Sequence, residues 1–268
     1  VIGALLALWA GAALFLVLVM AAAWLVQRRT GQGGWADAFW SLGLGAAGVL
    51  VALFPIDSAA PSARQTLAAC LIGAWGLRLG LHIAARARSS HEDPRYARLR
   101  QDWGPHFQPR MFGFLMLQAG AAALLALSIL VAARNPAPGL NFQDALATLV
   151  FVAALCGEAL ADRQLSRFKA DPANRGEVCD TGLWAWSRHP NYFFEWLGWC
   201  AWPIFALNLS GGWPWGWLAL SGPAYIYWLL TRVSGVPLLE AHMRRSRPEA
   251  FAAYAARTSV FFPRPPRP

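Results

Sequence analysis

The run Ser187-Arg188-His189-Pro190-Asn191-Tyr192-Phe193-Phe194-Glu195-Trp196 carries the most informative chemistry in the chain. Proline is favoured in the first turn of a helix, so the run predicts a helix start at His189 or Pro190. The open N–H groups and dipole of such a start favour an anion, and Arg188 adds a full positive charge. Asn191 and Glu195 are four apart and share one helix face. Glu195 then lies inside an apolar segment, where a carboxylate requires a partner. The plainer reading of the same residues is an interfacial cap in which Glu195 pairs with an arginine.

Three further groups could do chemistry. Glu158 and Asp162 are four apart, Ser166 and Lys169 continue their face, and Arg163 and Arg167 form a neighbouring stripe. Taken alone, this pattern describes a solvated helix end with favourable i,i+4 pairs. Arg78 lies inside an apolar run with His82 one turn later, a placement that fits the lining of a wet or ligand-filled cavity. Asp37, in Trp35-Ala36-Asp37-Ala38-Phe39-Trp40, either caps a helix or, if desolvated, carries a proton it can donate. Glu92-Asp93-Pro94-Arg95-Tyr96 reads as a tight charged turn. No glycine-rich phosphate loop and no metal-ligand spacing is present. The four cysteines show no paired spacing, so neither a disulfide framework nor a zinc site follows.

The elements that must position these residues are membrane helices. The chain is 57% hydrophobic and only 14% charged, and the charge is gathered into short stretches between long uncharged ones. That alternation describes spans and loops rather than a soluble core. Fifteen Trp and fifteen Phe suit a protein with two membrane–water interfaces. Apolar runs of spanning length fall near Val1–Val26, Trp35–Phe54, Thr66–Ala85, Phe112–Ala133, Ala145–Ala161, Tyr192–Leu209 and Trp213–Thr231. The expected fold is therefore all-α, a polytopic membrane protein with about seven transmembrane helices. The first run begins without charge and is followed by Arg28 and Arg29, so it reads as a span rather than a signal peptide.

A net charge of +9 would point to nucleic acid in a soluble protein. Here the basic residues cluster after the first, third, fifth and seventh runs, while the opposite loops offer only Arg64 and Arg134. By the positive-inside rule the N-terminus is outside and the C-terminus cytoplasmic, with no call for nucleic acid. The long loops, residues 86–111 and 162–190, and the tail from Arg232 mix aromatic and charged residues, so they are expected to be ordered. The tail predicts a short helix over Pro248–Arg257 with Phe251 and Tyr254 on one side. No internal repeat or separate soluble domain appears, and the whole chain, residues 1–268, reads as one membrane domain.

The stretch Asp162–Glu195 together with Tyr254–Pro263 resembles the C-terminal part of the steroid 5α-reductase family and, more distantly, the sterol C14 reductases. The bacterial branch of that family is the nearest in pattern. Trp75-Gly76-Leu77-Arg78-Leu79, Glu92-Asp93-Pro94-Arg95-Tyr96, Gly182-Leu183-Trp184 and Ser187-Arg188-His189-Pro190-Asn191-Tyr192 stand here in its order. The resemblance is strongest toward the C-terminus and weakest in the first two spans.

It implies an NADPH-dependent oxidoreductase that transfers hydride to the activated C=C of a lipophilic, steroid-like enone. The protein would be a monomer in the bacterial inner membrane, in contact with membrane lipid, with its cofactor site on the cytoplasmic side. Residues 1–133 would enclose the substrate and residues 134–268 would hold the cofactor. The implied cofactor contacts are Asp162, Lys169, Asn191 and Glu195, joined by Arg167, Arg188, His189, Tyr192, Arg232, Glu240 and Tyr254, with Arg86 and Arg88 meeting phosphates. Phe194 departs from the family, which has glycine there. The Gln-Glu pair and the tyrosine that polarise the substrate carbonyl in mammalian members are not found. Asp37 is the nearest acid and Trp75 stands near the tyrosine's place, so Asp37, protonated, with Trp75 and His82 is the expected catalytic set. Membrane methyltransferases of the isoprenylcysteine type share an Arg-His-Pro-x-Tyr motif, so S-adenosylmethionine is the rival cofactor. A transporter or scaffold is the third class.

Overall fold

With no water in a bilayer core, a chain must satisfy its backbone within each segment, and the long apolar stretches accordingly wind into helices. The computed structural model describes residues 2–56, 60–89, 93–208 and 211–267. Glu92 of the charged-turn motif lies outside the described residues. In chain order the helices are α1 Ile2–Thr30, α2 Trp35–Leu53, α3 Ala63–Ser89, α4 Pro94–Trp103, α5 Phe107–Ala133, α6 Phe142–Ala170, α7 Leu183–Trp186, α8 Pro190–Ala206, α9 Ser221–Trp228, α10 Val236–Ser246 and α11 Pro248–Arg257. Every regular element among the described residues is helical.

Among the described residues, five helical stretches are long and apolar enough to cross a membrane: Ile2–Thr30, Trp35–Leu53, Ala63–Arg88, Arg95–Ala133 and Phe142–Ala170. These make the chain a membrane protein. The expected count of seven is not reached among the described residues. In the sixth region α8 has 17 residues and carries Pro203 within it. The seventh region changes its winding along its length. Pro214–Leu220 is a 3₁₀ helix, α9 follows, and Leu229–Val233 is a π-turn. The expected fifth span, Ala145–Ala161, is the middle of a longer helix. α6 continues to Ala170, so Asp162–Lys169 is helix rather than loop.

The chain forms two units, Val1–Asn141 with Phe205–Ala219, and Phe142–Ile204 with Leu220–Pro268. Within the first, α2 and α3 pack backbone to backbone. A Cβ on Gly45 would lie 2.9 Å from the Gly76 Cα. Small residues at such crossings replace the hydrophobic drive that lipid removes. Arg64 and Arg134, the cations of the opposite loops, are staples. Arg64 is 3% exposed and donates to the carbonyls of Asn135, Ala137 and Gly139. Arg134 donates to those of Val51 and Phe54.

Within the second unit α6 and α8 run antiparallel. Phe151 meets Trp202 edge to face at 5.5 Å. Ala154 lies against Gly198, where a Cβ would sit 3.6 Å away, and Gly157 lies against Phe194. A Cβ on Gly157 would come within 2.4 Å of the Phe194 ring. The bulk that departs from the family is thus accommodated by a glycine on the facing helix, and Phe194 packs into the helix seam.

Candidate functional site

The helix start expected at His189 or Pro190 is found at Pro190. The residues before it are tied to the C-terminal tail. Ser187 donates through its hydroxyl to the Phe261 carbonyl at 2.8 Å, and the Arg188 N–H donates to Ser259 at 2.8 Å. Tyr254 donates to the Trp184 carbonyl at 2.6 Å. Tyr254 and Phe251 lie buried on α11, as the spacing predicted.

The Arg188 side chain is engaged within this unit. Its guanidinium donates to Glu240 Oε1 at 2.8 Å and to the carbonyls of Ala255 and Thr258. Arg188 and Glu240 are both buried. Glu240 also stands 3.4 Å from His189 Nε2 and 3.1 Å from Arg244 Nη2. Burial works against its charged form, but the His189 ring and the Arg188 guanidinium beside it outweigh that and hold the carboxyl below its ordinary range. Arg188, Glu240 and Tyr254, expected as cofactor contacts, therefore act as the frame that positions the start of α8. His189 belongs to the same frame and stacks on Tyr192, ring planes 6° apart.

The half-buried polar groups of this unit lie where α6 faces the first turns of α8. Asn191 donates to Asp162 Oδ1 at 3.4 Å, one step beyond the Gly157–Phe194 contact. Glu195 accepts from the Trp199 indole at 2.8 Å, so its partner is not an arginine in that bond. Glu158, one turn before Asp162, is buried. Arg163, Arg167 and Lys169 are exposed on the last turns of α6, and Arg232 is exposed in the π-turn after α9. The resemblance grouped Asp162, Asn191 and Glu195 as one set of contacts, and the first two are in contact.

A second polar group lies in the other unit. Asp37, in the first turn of α2, accepts from the Tyr96 hydroxyl at 2.8 Å and pairs with Arg95 Nη2 at 2.6 Å. Asp93 caps α4 by accepting from the Arg95 N–H at 2.9 Å, and its other oxygen holds the same guanidinium at 2.9 Å. Burial opposes the charge on Asp93, but the bonds from Arg95 and the charges of Arg95 and Arg86 prevail, and its carboxyl lies below the ordinary value. Gly33, in the turn before α2, lets the Tyr96 ring lie flush, since a Cβ there would fall 2.2 Å from it.

Asp37 thus accepts hydrogen bonds from a guanidinium and a phenol O–H, partners that its sequence neighbourhood did not indicate. Trp75 is buried and packs edge to face with Trp40 at 6.3 Å. His82 lies on the exposed side of α3 and Arg78 is half-buried. Arg86 stands 3.8 Å from Asp93, and Arg88 lies over the Trp35 ring. Sequence reasoning missed Arg95 and Tyr96 as site residues, because spacing does not report a partner 58 positions away.

Residues 23–258 match the family described as "Protein of unknown function (DUF1295)". The chain belongs to this family. No curated protein and no solved structure matches it. The matched stretch contains both polar groups: Asp37 with Arg95 and Tyr96, and Asp162 with Asn191 and Glu195. It also reaches Thr258, whose carbonyl receives the Arg188 guanidinium.

Proposed function

We propose that this DUF1295 member is a membrane-embedded NADPH-dependent reductase of an activated C=C in a lipophilic, steroid-like substrate, related in function to the steroid 5α-reductases it resembles. The observation that carries the reading is the contact between Asn191 and Asp162, with Glu195 one turn further along α8 and the cations of α6 nearby.

The donor set fits a dinucleotide. Two carboxylates and a carboxamide accept from and donate to the hydroxyl and amide groups of the nucleoside halves. Arg163, Arg167 and Lys169, with Arg232, supply positive charge for phosphates. NADPH, when bound, supplies the hydride. Arg188, Glu240, His189 and Tyr254 hold the start of α8 in place so that Asn191 and Glu195 present one face.

In the other unit Asp37 and Asp93 anchor the Arg95 guanidinium, and Asp37 accepts the Tyr96 O–H. The seven-span count, with the N-terminus outside and the cofactor side cytoplasmic, belongs to this proposal. So does a monomer in a bacterial inner membrane.

The test is a thermal-shift comparison on detergent-purified protein with NADPH and with S-adenosylmethionine, repeated on Glu195→Gln. Stabilisation by NADPH that the variant loses is the expected result. Stabilisation by S-adenosylmethionine alone overturns the reading in favour of a methyltransferase, and no response to either points to a transporter or scaffold.

A further inference from the structure

α10 divides its residues sharply. Val236 and Glu240 are buried, and Glu240 faces Arg188 and His189 inside the fold. On the other side Leu238, His242 and Arg245 follow one another at helical spacing, with Leu239 beside them, and all four are exposed. Leu238 is 49% exposed and Leu239 42%. Two neighbouring leucines left open on a short polar helix are not explained by the fold of this unit. Glu240 is the only acid on α10, so the open face carries positive charge and none of the opposite sign.

The helix also begins close to an apolar segment. α9 and its π-turn end at Val233, itself 42% exposed, and α10 starts three residues later. Gly235 makes that turn tight. A Cβ there would lie 2.4 Å from the Leu230 carbonyl oxygen and 3.0 Å from the Tyr192 ring. The leucines therefore sit within two turns of helix from the end of the π-turn at Val233. Trp228, 52% exposed, stands at the end of α9. Trp228 at a helix end, the exposed Arg232 after it, and then the open leucines with Arg245 bring the aromatic, apolar and cationic groups of a membrane boundary into one short stretch.

We infer that α10 is an interfacial helix whose Leu238–Leu239–His242–Arg245 face rests on anionic phospholipid. The leucines enter the acyl boundary and Arg245 meets lipid phosphate. Binding of this kind combines buried apolar area with attraction to anionic headgroups, and the attraction fades beyond a Debye length. The inference takes α9 as a membrane segment and is independent of the cofactor reading.

Hydrogen–deuterium exchange on the full-length protein tests it without any nucleotide. The protein is placed in nanodiscs of phosphatidylcholine, or of phosphatidylcholine with phosphatidylglycerol. The amides of α10 are expected to exchange several-fold more slowly with phosphatidylglycerol, and high salt should remove much of the difference. Arg245→Glu should abolish the dependence on phosphatidylglycerol. Leu238→Ser with Leu239→Ser should speed exchange in both lipids. Equal exchange in the two lipids overturns the inference. So does protection that follows protein concentration, which would mark a contact between copies of this chain. Melting of the variants in detergent separates loss of lipid contact from loss of fold, since a variant that melts early there has failed for another reason. In that event Arg245→Gln, with the charge removed but not reversed, decides the point.

Discussion

Arg188 and Glu240 form a buried ion pair, 2.8 Å from Nε to Oε1, between the segment leading into α8 and α10 of the C-terminal tail. The same guanidinium reaches the carbonyls of Ala255 and Thr258. One side chain therefore ties the tail to the start of the helix that carries Asn191 and Glu195.

Removing one partner leaves the other charge buried. Arg188→Ala should destabilise the fold by ~3–5 kcal/mol, and Arg188→Lys should recover only part, because an ammonium cannot reach three acceptors in fork geometry. Chemical denaturation in detergent measures both. A loss well under ~1 kcal/mol for the alanine variant would show that the pair is not holding the tail.

The same pair sets a pH dependence. The Glu240 carboxyl is held below its ordinary value, so its contribution is fully present above the unfolded value of about 4.3 and disappears as pH falls through the lower folded value. Melting temperature followed from pH 7 into the acid range should fall more steeply for the parent protein than for Glu240→Gln. Parallel curves would remove Glu240 from the account.

Asp37 should act as the anchor of α4. Asp37→Asn weakens the bond to Arg95 and Asp37→Ala removes both contacts. Arg95 is partly exposed, so after solvent screening the pair contributes about 1 kcal/mol or less, and the Tyr96 bond contributes about 1 kcal/mol more. The expected outcome for Asp37→Ala is faster tryptic cleavage after Arg95 and Arg98 with most of the fold intact. Tyr96→Phe should produce a milder form of the same change. Unchanged cleavage in both would mean that α4 is held by other contacts.

Which parts of this arrangement could be read in the sequence follows from the range of the forces. The helix start at Pro190, the tail helix and the first apolar helices depend on local propensity and periodicity, and these appear near where the pattern put them. Asn191 and Glu195 were paired by helical spacing, which is visible in one dimension, whereas Asp162 joined them only through the family resemblance. The fifth span was drawn too short because charge was taken as its end, whereas Asp162–Lys169 only marks where the helix leaves an apolar setting. The winding change from Pro214 to Val233 has no signature in hydropathy. The partners that hold Arg188 and Asp37 were not visible in the sequence. In each case the partner, Glu240 or Arg95, is more than fifty positions away, and only the fold supplies it.

Gly157 and Phe194 offer a direct test of the α6–α8 seam. A methyl group on Gly157 would fall 2.4 Å from the ring, so Gly157→Ala should destabilise by ~1–3 kcal/mol through overpacking. Phe194→Ala relieves the clash but leaves a cavity. Combining the two should restore more stability than the single losses predict, because the new methyl occupies space the ring has left. Additive losses would place Phe194 elsewhere.

Gln27 should be a residue whose removal strengthens the protein. It lies on the inner face of α1 with Ala12, Leu16, Met20 and Ala23, and it is fully buried. Neither end of its carboxamide has a hydrogen-bond partner. Burying an amide without bonds costs ~1–3 kcal/mol by protein measurements, and replacing it with an apolar group of similar size avoids that cost. Gln27→Leu and Gln27→Met should therefore raise the melting temperature in detergent, Met more readily because its flexible chain follows the same path. Gln27→Ala should not, because it trades the unsatisfied amide for a cavity. If the leucine and methionine variants are both less stable than the parent, the amide has a partner in solution and this account of the α1 core is wrong.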